Sequence, residues 1–255
     1  MGRERVQGGV MTRPAIALLS LLCVLALAPL ASAAVPARGA RVIELGATTD
    51  TVTPSCPADP CEAAVRVSGY QGRAGANRNP FVIPRDGYIV AFSLTLAKPT
   101  AAQISFFNTQ FGTPAQVRLS VLRKSDGRPR RTRLDHRLMA QTRDFRVDRF
   151  FGSKPTFVLA EPLRVRRGYY LALTVDTWAP VFANGLGRSS WWRSSRDKSS
   201  CEAPRSLAQF ALSRVGNVNV FGCTYHGARL LYTATYVPDN RPTVPASGDR
   251  RQTRR

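Results

Sequence analysis

The chain has 255 residues, and 37 Lys or Arg against 16 Asp or Glu give it a formal net charge of +21. This length suits one good hydrophobic core, and all-β domains of about 200 residues are often single domains. Only two histidines are present, which speaks against a zinc site.

The positive charge has two explanations. Codon usage in a GC-rich genome favours Arg, Ala, Gly and Pro, whereas an anionic partner such as cell-wall polymer, phospholipid or extracellular nucleic acid would select for positive charge directly. The arginines are spread over every segment and form no single stripe in the sequence. This dispersion favours the first explanation, although folding could still gather arginines on one face.

Residues 1–34 are typical of a secretory signal peptide. Arg13 precedes the apolar run AIALLSLLCVLALA at 15–28, and small residues at 31–34 provide a cleavage site. The apolar run is shorter than the roughly 20 residues that a transmembrane helix needs. We therefore predict an exported mature chain that does not span a membrane, with translation starting at either Met1 or Met11.

Four cysteines lie outside this signal peptide: Cys56, Cys61, Cys201 and Cys223. An even number of cysteines in an exported chain predicts disulfides. Of the three possible pairings we favour Cys56–Cys61 with Cys201–Cys223, because each of these pairs is local in sequence. Zinc is the alternative, but the spacing of the ligands does not suit it.

Residues 35–60 are rich in Pro, Ala and Thr, which predicts an N-terminal extended segment around one strand candidate, RVIEL at 41–45. The stretch at 101–110, AAQISFFNTQ, is interpreted as a crossover turn, and SLAQFALSRVG at 206–216 as either a short helix or a strand. Residues 239–255 contain four terminal arginines and few apolar side chains, so a disordered basic tail is expected.

Residues 61–238 show the alternation of apolar and polar side chains that half-buried antiparallel strands require. In YIVAFSLTL at 88–96, for example, Tyr88, Val90, Phe92 and Leu94 share one predicted face. Turn sequences such as PRDG at 84–87 separate the runs. The remaining runs with the same pattern are AAVRVSG at 63–69, AQVRLSVLR at 115–123, YYLALTVD at 169–176 and RLLYTATYV at 229–237. Together they predict an all-β, antiparallel β-sandwich or jelly roll.

Three stretches of the predicted sandwich resemble a known group of proteins. FVIPRDGYIVAFSLTL, EPLRVRRGYYLALTV and ARLLYTATYVPD are similar to strand pairs and the last strand of uncharacterised exported β-sandwich proteins of high-GC Gram-positive bacteria. The resemblance covers about residues 79–239 and its motifs are mostly structural. It implies a jelly-roll fold of the carbohydrate-binding or adhesion type and an extracellular location. The arginine-rich tail departs from the Asp-rich, calcium-type tail of some members.

Catalysis has little support in the sequence. His136 and His226 are the only histidines, no G-x-S-x-G motif is present, and the adjacent Asp135 and His136 would point to opposite faces of a strand. Among the carboxylates, Asp176 and Glu161 are the best candidates for a buried acid. We predict a protein that is not an enzyme and that holds no cofactor and no metal.

The stretch TWAPVFANGLGRSSWW at 177–192 contains all three tryptophans. Exposed indole rings stack on the C–H faces of sugars, and neighbouring arginines add hydrogen bonds or anion contacts. The candidate ligand-binding residues are Trp178, Trp191, Trp192, Arg188 and Arg193. Core and loop packing is the alternative, and in an extended chain one of Trp191 and Trp192 would point inward and the other outward.

Two functions of different classes follow from these features. The first is a secreted, non-catalytic binding or adhesion module that recognises envelope or environmental polysaccharide through the aromatic loop. The second is a cationic envelope-associated structural protein that anionic cell-wall polymer holds by charge alone. An exported hydrolase is a distant third. None of these predicts a specific nucleic-acid partner, and the oligomeric state is not predicted.

Overall fold

The computed structural model describes residues 41–125, 133–201 and 208–239. Within these ranges the chain forms an antiparallel β-sandwich, which confirms the predicted fold class. The predicted signal peptide and all of the predicted basic tail except Asp239 lie outside the described residues.

The described residues form fifteen strands, one helix and two short 3-10 turns, the latter at Asp148–Phe150 and Lys198–Ser200. In chain order the elements are β1 (Ile43–Leu45), β2 (Ala64–Ala74), β3 (Asn77–Arg78), β4 (Gly87–Leu94), α1 (Ala101–Phe111), β5 (Gln116–Lys124), β6 (Asp135–Gln141), β7 (Phe145–Arg146), β8 (Thr156–Val165), β9 (Tyr170–Ala179), β10 (Phe182–Ala183), β11 (Ser190–Ser194), β12 (Val218–Val220), β13 (Cys223–His226), β14 (Arg229–Leu230) and β15 (Tyr232–Pro238).

The strands form two main sheets that face one another across the core. The smaller sheet has the order β1-β15-β4-β8, and the larger has the order β12-β6-β5-β9-β2-β11-β13, with β3 pairing to β2 and β7 to β5. A separate pair joins β10 to β14. The main apolar cluster draws buried side chains from both sheets and from α1, as expected for a sandwich.

The sandwich begins earlier in the chain than the sequence predicted. β1 pairs with β15 along its whole length, and Leu45 is buried in the core. The strand candidate at 41–45 is therefore real, but the boundary placed at residue 61 falls inside the folded body. Asp50, which lies in the expected extended segment, also contacts the sandwich. Its carboxylate pairs with the guanidinium of the buried Arg229 at 3.0 Å.

A β-bulge changes the predicted face of β4. Ala91 pairs with Thr235 and Ile89 pairs with Tyr236, so Val90 is the extra residue in the ladder. Because a bulge reverses the alternation of side chains, Ile89 enters the core instead of Val90. The prediction for this strand was right for Phe92 and Leu94 and wrong for Tyr88 and Val90.

The stretch interpreted as a crossover turn is the helix α1. Thr100 caps it, because the Gln103 amide donates to the Thr100 hydroxyl at 3.2 Å and the Thr100 amide donates to the Gln103 side chain at 2.9 Å. This capping box is a recognised start signal for helices, and it is present in the sequence. The described part of 206–216 forms neither a helix nor a strand.

The larger sheet is covered on its outer face as well. Leu212 and Phe221, from the segment that follows the second gap, pack over this face with buried side chains of β2, β5, β6 and β9. The Leu212 amide donates to the Ser68 hydroxyl at 3.0 Å, and Arg118 donates to the Leu212 carbonyl at 3.1 Å. Arg118 is also paired with Asp176. These bonds attach the covering segment to the sheet.

The cysteines pair as predicted, with one disulfide between Cys56 and Cys61 and another between Cys201 and Cys223. The first closes a short loop that α1 contacts, since the Gln103 side chain donates to the Pro57 carbonyl at 3.0 Å. The second ties the start of β13 to the segment after β11. Disulfides form and persist in oxidising compartments, so the pairing agrees with an extracellular location.

Two glycines of β2 provide the surfaces on which two indole rings lie. A Cβ atom at Gly69 would come within 2.7 Å of the Trp192 ring, and a Cβ atom at Gly72 would overlap the Trp191 ring. These contacts are with opposite faces of the sheet, because Gly69 and Gly72 are three residues apart in one strand. The two indole rings therefore lie on opposite sides of β11, and each packs against a glycine of β2 that has no side chain to displace it.

The substitution Gly72→Ala tests this packing. The added methyl group must displace the Trp191 ring, so we expect a loss of roughly 1–3 kcal/mol in the free energy of unfolding. Urea unfolding of a double-mutant cycle with Trp191→Ala measures the coupling. The cost of Gly72→Ala should largely disappear once the ring is gone. An equal cost in both backgrounds would show that Gly72 is needed for another reason.

Candidate functional site

The strand β11 divides the two adjacent tryptophans between the two faces of the larger sheet. Trp192 points into the core and is only 6% exposed, whereas Trp191 lies on the outer face and is half-buried. This is the arrangement expected for an extended chain. Of the three tryptophans, Trp191 alone offers part of its ring to a ligand.

Two of the predicted ligand-binding residues are core residues instead. Trp178 is fully buried, stacks on Phe107 with ring centroids 4.8 Å apart, and donates its indole N–H to Asn108 at 2.9 Å. Trp192 packs between Phe182 and Tyr225. Both predictions were wrong because the large apolar area of an indole ring stabilises the core most when it is buried.

Arg188 and Arg193 occupy different environments. Arg188 is exposed in the loop before β11 and makes no hydrogen bond, ion pair or ring contact with any described residue. Arg193 is half-buried on the outer face of the larger sheet, with its guanidinium carbon 5.8 Å from the centroid of the Trp191 ring. The structure brings Arg193 and Trp191 together and does not bring Arg188 to them.

Neighbouring strands add tyrosines to this pair. Arg193 lies directly opposite Tyr70 of β2 on one side and Thr224 of β13 on the other. Tyr70 in turn contacts Tyr170 of β9, with ring centroids 4.9 Å apart. We call the set Trp191, Arg193, Tyr70 and Tyr170 the outer-face site.

The polar groups of the outer-face site have no hydrogen-bond partner in the part of the chain that the structure describes. The Arg193 Nε–H is buried, and none of the guanidinium N–H groups has an acceptor among the described residues. No hydrogen bond of the Tyr70 or Tyr170 hydroxyl occurs within the described ranges either. Buried polar groups are nearly always hydrogen-bonded, and a guanidinium presents five donors in a fixed planar fork. The site therefore has donors without an acceptor among the described residues.

The electrostatics of the site favour an anion. Burial raises the pKa of Tyr70 and of Tyr170, and the positive charge of Arg193 lowers both pKa values by less. Both hydroxyls are consequently neutral donors near pH 7. Burial also lowers the pKa of the adjacent His136 to about 4, so that its ring is neutral as well. Arg193 is therefore the charged member of the outer-face site, and Lys124 and Asp135 are the other charged groups that act on the adjacent His136.

A second hollow, of about 610 Å³, lies on the inner side of β11. Trp192 and Tyr225 line one part of it, and Glu62 and His226 line another. Asn184 donates to the Glu62 carboxylate at 2.7 Å. Trp192 contributes little exposed area here, since 94% of its surface is covered.

The residues considered for catalysis are dispersed over the fold. His136 is fully buried, with its Nδ1–H donating to the Leu134 carbonyl at 2.8 Å, whereas His226 is exposed at the end of β13. Asp176 is partly buried and paired with Arg118. Glu161 is exposed on β8, which corrects its prediction as a candidate buried acid.

The sequence did not single out Tyr70 and Tyr170. Tyr170 belongs to a run in which the alternation assigned it to one face, whereas Tyr70 follows the predicted run at 63–69 and lies in the part of β2 that the sequence did not predict. Nothing in the sequence indicated that β2, β9 and β11 are neighbours. Tyr70 and Arg193 are 123 positions apart in the chain and directly opposite in the sheet. A long-range pairing of this kind leaves no local signal.

No family model, curated protein sequence or solved structure matches the chain. Within the described ranges, no helix has both the length and the apolar character needed to cross a bilayer. The same residues contain no group of three or more His, Cys, Asp or Glu side chains placed to hold a metal ion.

The buried histidine beside the site predicts a pH-dependent stability. An unfolded histidine titrates near 6.5 and the folded His136 at about 4, so protons bind the unfolded chain preferentially as the pH falls between these values. The resulting loss in the free energy of unfolding should be roughly 3 kcal/mol. Urea unfolding at about pH 7 and about pH 4 measures the loss.

The matched variant is His136→Asn, whose side-chain amide can keep the bond to the Leu134 carbonyl. It should lose less stability over the same pH range, because its side chain does not titrate. Equal pH dependence in the two proteins would contradict the assignment of the loss to His136.

Proposed function

We propose that the protein is an exported, non-catalytic binding module that recognises acidic polysaccharide of the cell envelope or the environment through the outer-face site. The observation that carries the proposal is the half-buried Arg193, whose donors have no acceptor among the described residues while an indole ring lies beside it. The two disulfides support export. The predicted signal peptide and the resemblance to exported sandwich proteins remain predictions from sequence.

Arg193 supplies the recognition of charge. A carboxylate accepts two parallel hydrogen bonds from a guanidinium, and such charge-assisted pairs are stronger than neutral hydrogen bonds. Burial strengthens the attraction further, because the local dielectric constant is lower than that of water. A uronic acid carries this carboxylate on a pyranose ring, so its charge and its ring stand at a fixed separation.

Trp191 and the tyrosines supply the recognition of the sugar. The partly exposed indole face is suited to stacking on the C–H face of a pyranose. The hydroxyl of the partly buried Tyr170 is neutral and can donate to sugar or carboxylate oxygens. Tyr70 is only 5% exposed and packs with Leu212 and Phe221, so it mainly supports the site from below. Because Gly72 and the sheet hold the Trp191 ring, little side-chain freedom is lost on binding.

The alternative function, a cationic envelope protein held by charge alone, is favoured by the net charge of +21. In that case affinity would depend on the number of positive charges and not on their position. The two functions therefore differ in how they respond to the loss of one particular arginine.

The test measures the binding of an oligogalacturonate and of its methyl ester by calorimetry. The ester keeps the sugar rings and loses the charges. We expect the acid to bind the wild type at least roughly tenfold more tightly than the ester, the effect of one charge-assisted pair. Arg193→Gln should remove this preference, Arg193→Lys should weaken it because the planar fork is lost, and Trp191→Ala should weaken the binding of both ligands.

The control variant is Arg214→Gln, which removes a charge from an exposed arginine after Leu212. It should bind like the wild type. A folded Arg193→Gln protein with wild-type affinity would refute the proposed site. Equal losses in Arg193→Gln and Arg214→Gln would favour the charge-only alternative.

A further inference from the structure

A groove of about 1070 Å³ lies at a different place in the fold, along the segment that runs from β7 to the start of β8. Its floor contains three half-buried phenylalanines, Phe145, Phe150 and Phe157. Four exposed cations line it: Arg143, Arg146, Arg149 and Lys154. These four cations lie within residues 143–154 of the sequence, a local cluster that the predictions from sequence did not single out. We call this surface the cationic groove.

Two of the arginines are held against the aromatic floor. The guanidinium carbon of Arg143 lies 5.3 Å from the centroid of the Phe145 ring, and that of Arg149 lies 4.8 Å from the centroid of the Phe150 ring. Packing of this kind restrains long side chains before any ligand binds. The planar forks of these arginines are therefore partly ordered in advance for bidentate contacts with oxyanions.

Two acidic side chains line the groove, and one of them pairs with one of its four cations. Asp144 is bonded to Arg118 at 2.6 Å, and Asp148 is bonded to Arg146 at 3.1 Å. Arg143, Arg149 and Lys154 form no ion pair with any described residue. Three cations without an ion-pair partner among the described residues therefore line a single groove. Together they concentrate a positive potential there.

The groove continues into a neighbouring cleft of about 740 Å³, and Lys154 and Thr156 line both. The cleft follows the outer surface of the smaller sheet. Thr233, Ser93 and Thr156 are successive partners across three of its strands, and the Ser93 and Thr156 hydroxyls are 2.7 Å apart. Two carboxylates also line the cleft: Asp50 is paired with Arg229 and Glu44 accepts from the Thr235 hydroxyl. Cations followed by a row of hydroxyls suit an extended ligand that carries anions at the groove and hydroxyl groups along the cleft.

We propose that the cationic groove is a second binding site, which takes a linear polymer of repeated tetrahedral oxyanions on a sugar or polyol backbone. Phosphodiesters and sulfates share this chemistry. A single-stranded nucleic acid fits less well, because it would need free aromatic faces for its bases, and Arg143 and Arg149 cover two of the three rings. This site uses none of the residues of the outer-face site and does not depend on the function proposed for it.

The test uses poly(glycerol phosphate) and dextran sulfate as probes, with polyuridylate as the nucleic-acid probe. Affinity of the full chain is measured by fluorescence anisotropy over a range of salt concentrations. In the variant R143Q/R149Q the slope of log affinity against log salt should fall by about 2, one for each lost oxyanion contact. The loss should appear with the phosphate polymer, the sulfate polymer or both, which identifies the source of the oxyanion.

Two further variants separate the site from charge in general. R166Q/R214Q removes two charges from exposed arginines outside the groove and should leave the slope almost unchanged. R143K/R149K keeps the charges and loses the forks, so affinity should fall severalfold while the slope is retained.

Three results would overturn the proposal. These are equal losses in R143Q/R149Q and R166Q/R214Q, a wild-type slope in R143Q/R149Q, and a loss of polyuridylate binding as large as that of the two polymers. Binding of oligogalacturonate should be unchanged in R143Q/R149Q. Failure of the cationic groove is therefore distinguishable from failure of the outer-face site.

Discussion

The close approach of β11 to β2 at Gly69 and Gly72 sets the positions of the aromatic side chains around it. The ladder between these strands is interrupted there, since Trp191 pairs with Arg73 and Trp192 pairs with Gln71. The fully buried Gln71 side chain compensates for the irregularity: it donates to the Trp191 carbonyl at 2.9 Å and accepts from the Leu230 amide at 2.8 Å. Without side chains at the two glycines, one indole ring fills the core and the other lies flat on the outer face.

The larger sheet is buried on both faces, and residues of β2 and β5 attach the segment that covers its outer face. The covering segment is anchored by hydrogen bonds to Ser68 and Arg118, and a chain of hydroxyls joins Ser68 to Thr174 and Thr174 to Ser120, each pair 2.7 Å apart. Buried polar networks of this kind are stable only when each member is bonded. The guanidinium of Arg193, by contrast, has a buried Nε–H and no acceptor among the described residues, and this is the observation on which the proposed outer-face site rests.

The sequence predicted the parts of the structure that depend on local pattern. Alternation identified the main strands, the spacing of the cysteines gave both disulfides, and the side-by-side tryptophans were expected to point in opposite directions. It failed where a single residue changes the pattern, as at the Val90 bulge, and where a capping signal was missed, as at Thr100. The site itself was only half predictable: Trp191 and Arg193 lie in one short strand, but Tyr70 and Tyr170 reach them through pairings of distant strands. The cations of the cationic groove are close together in the sequence, at 143–154, but the sequence did not show that they would line a groove with three phenylalanines.

The most direct test of the central claim is a ¹H–¹⁵N nuclear magnetic resonance titration of the full chain with oligogalacturonate. The Trp191 indole N–H and the Arg193 Nε–H report on the outer-face site, and the indole N–H groups of Trp178 and Trp192 report on the core. The outer-face site predicts saturable shifts of the Trp191 indole and the Arg193 Nε–H, while the Trp178 indole, bonded to Asn108 in the core, stays in place. Shifts at Trp178 or Trp192 as large as those at Trp191, or no shift at Arg193, would contradict the assignment.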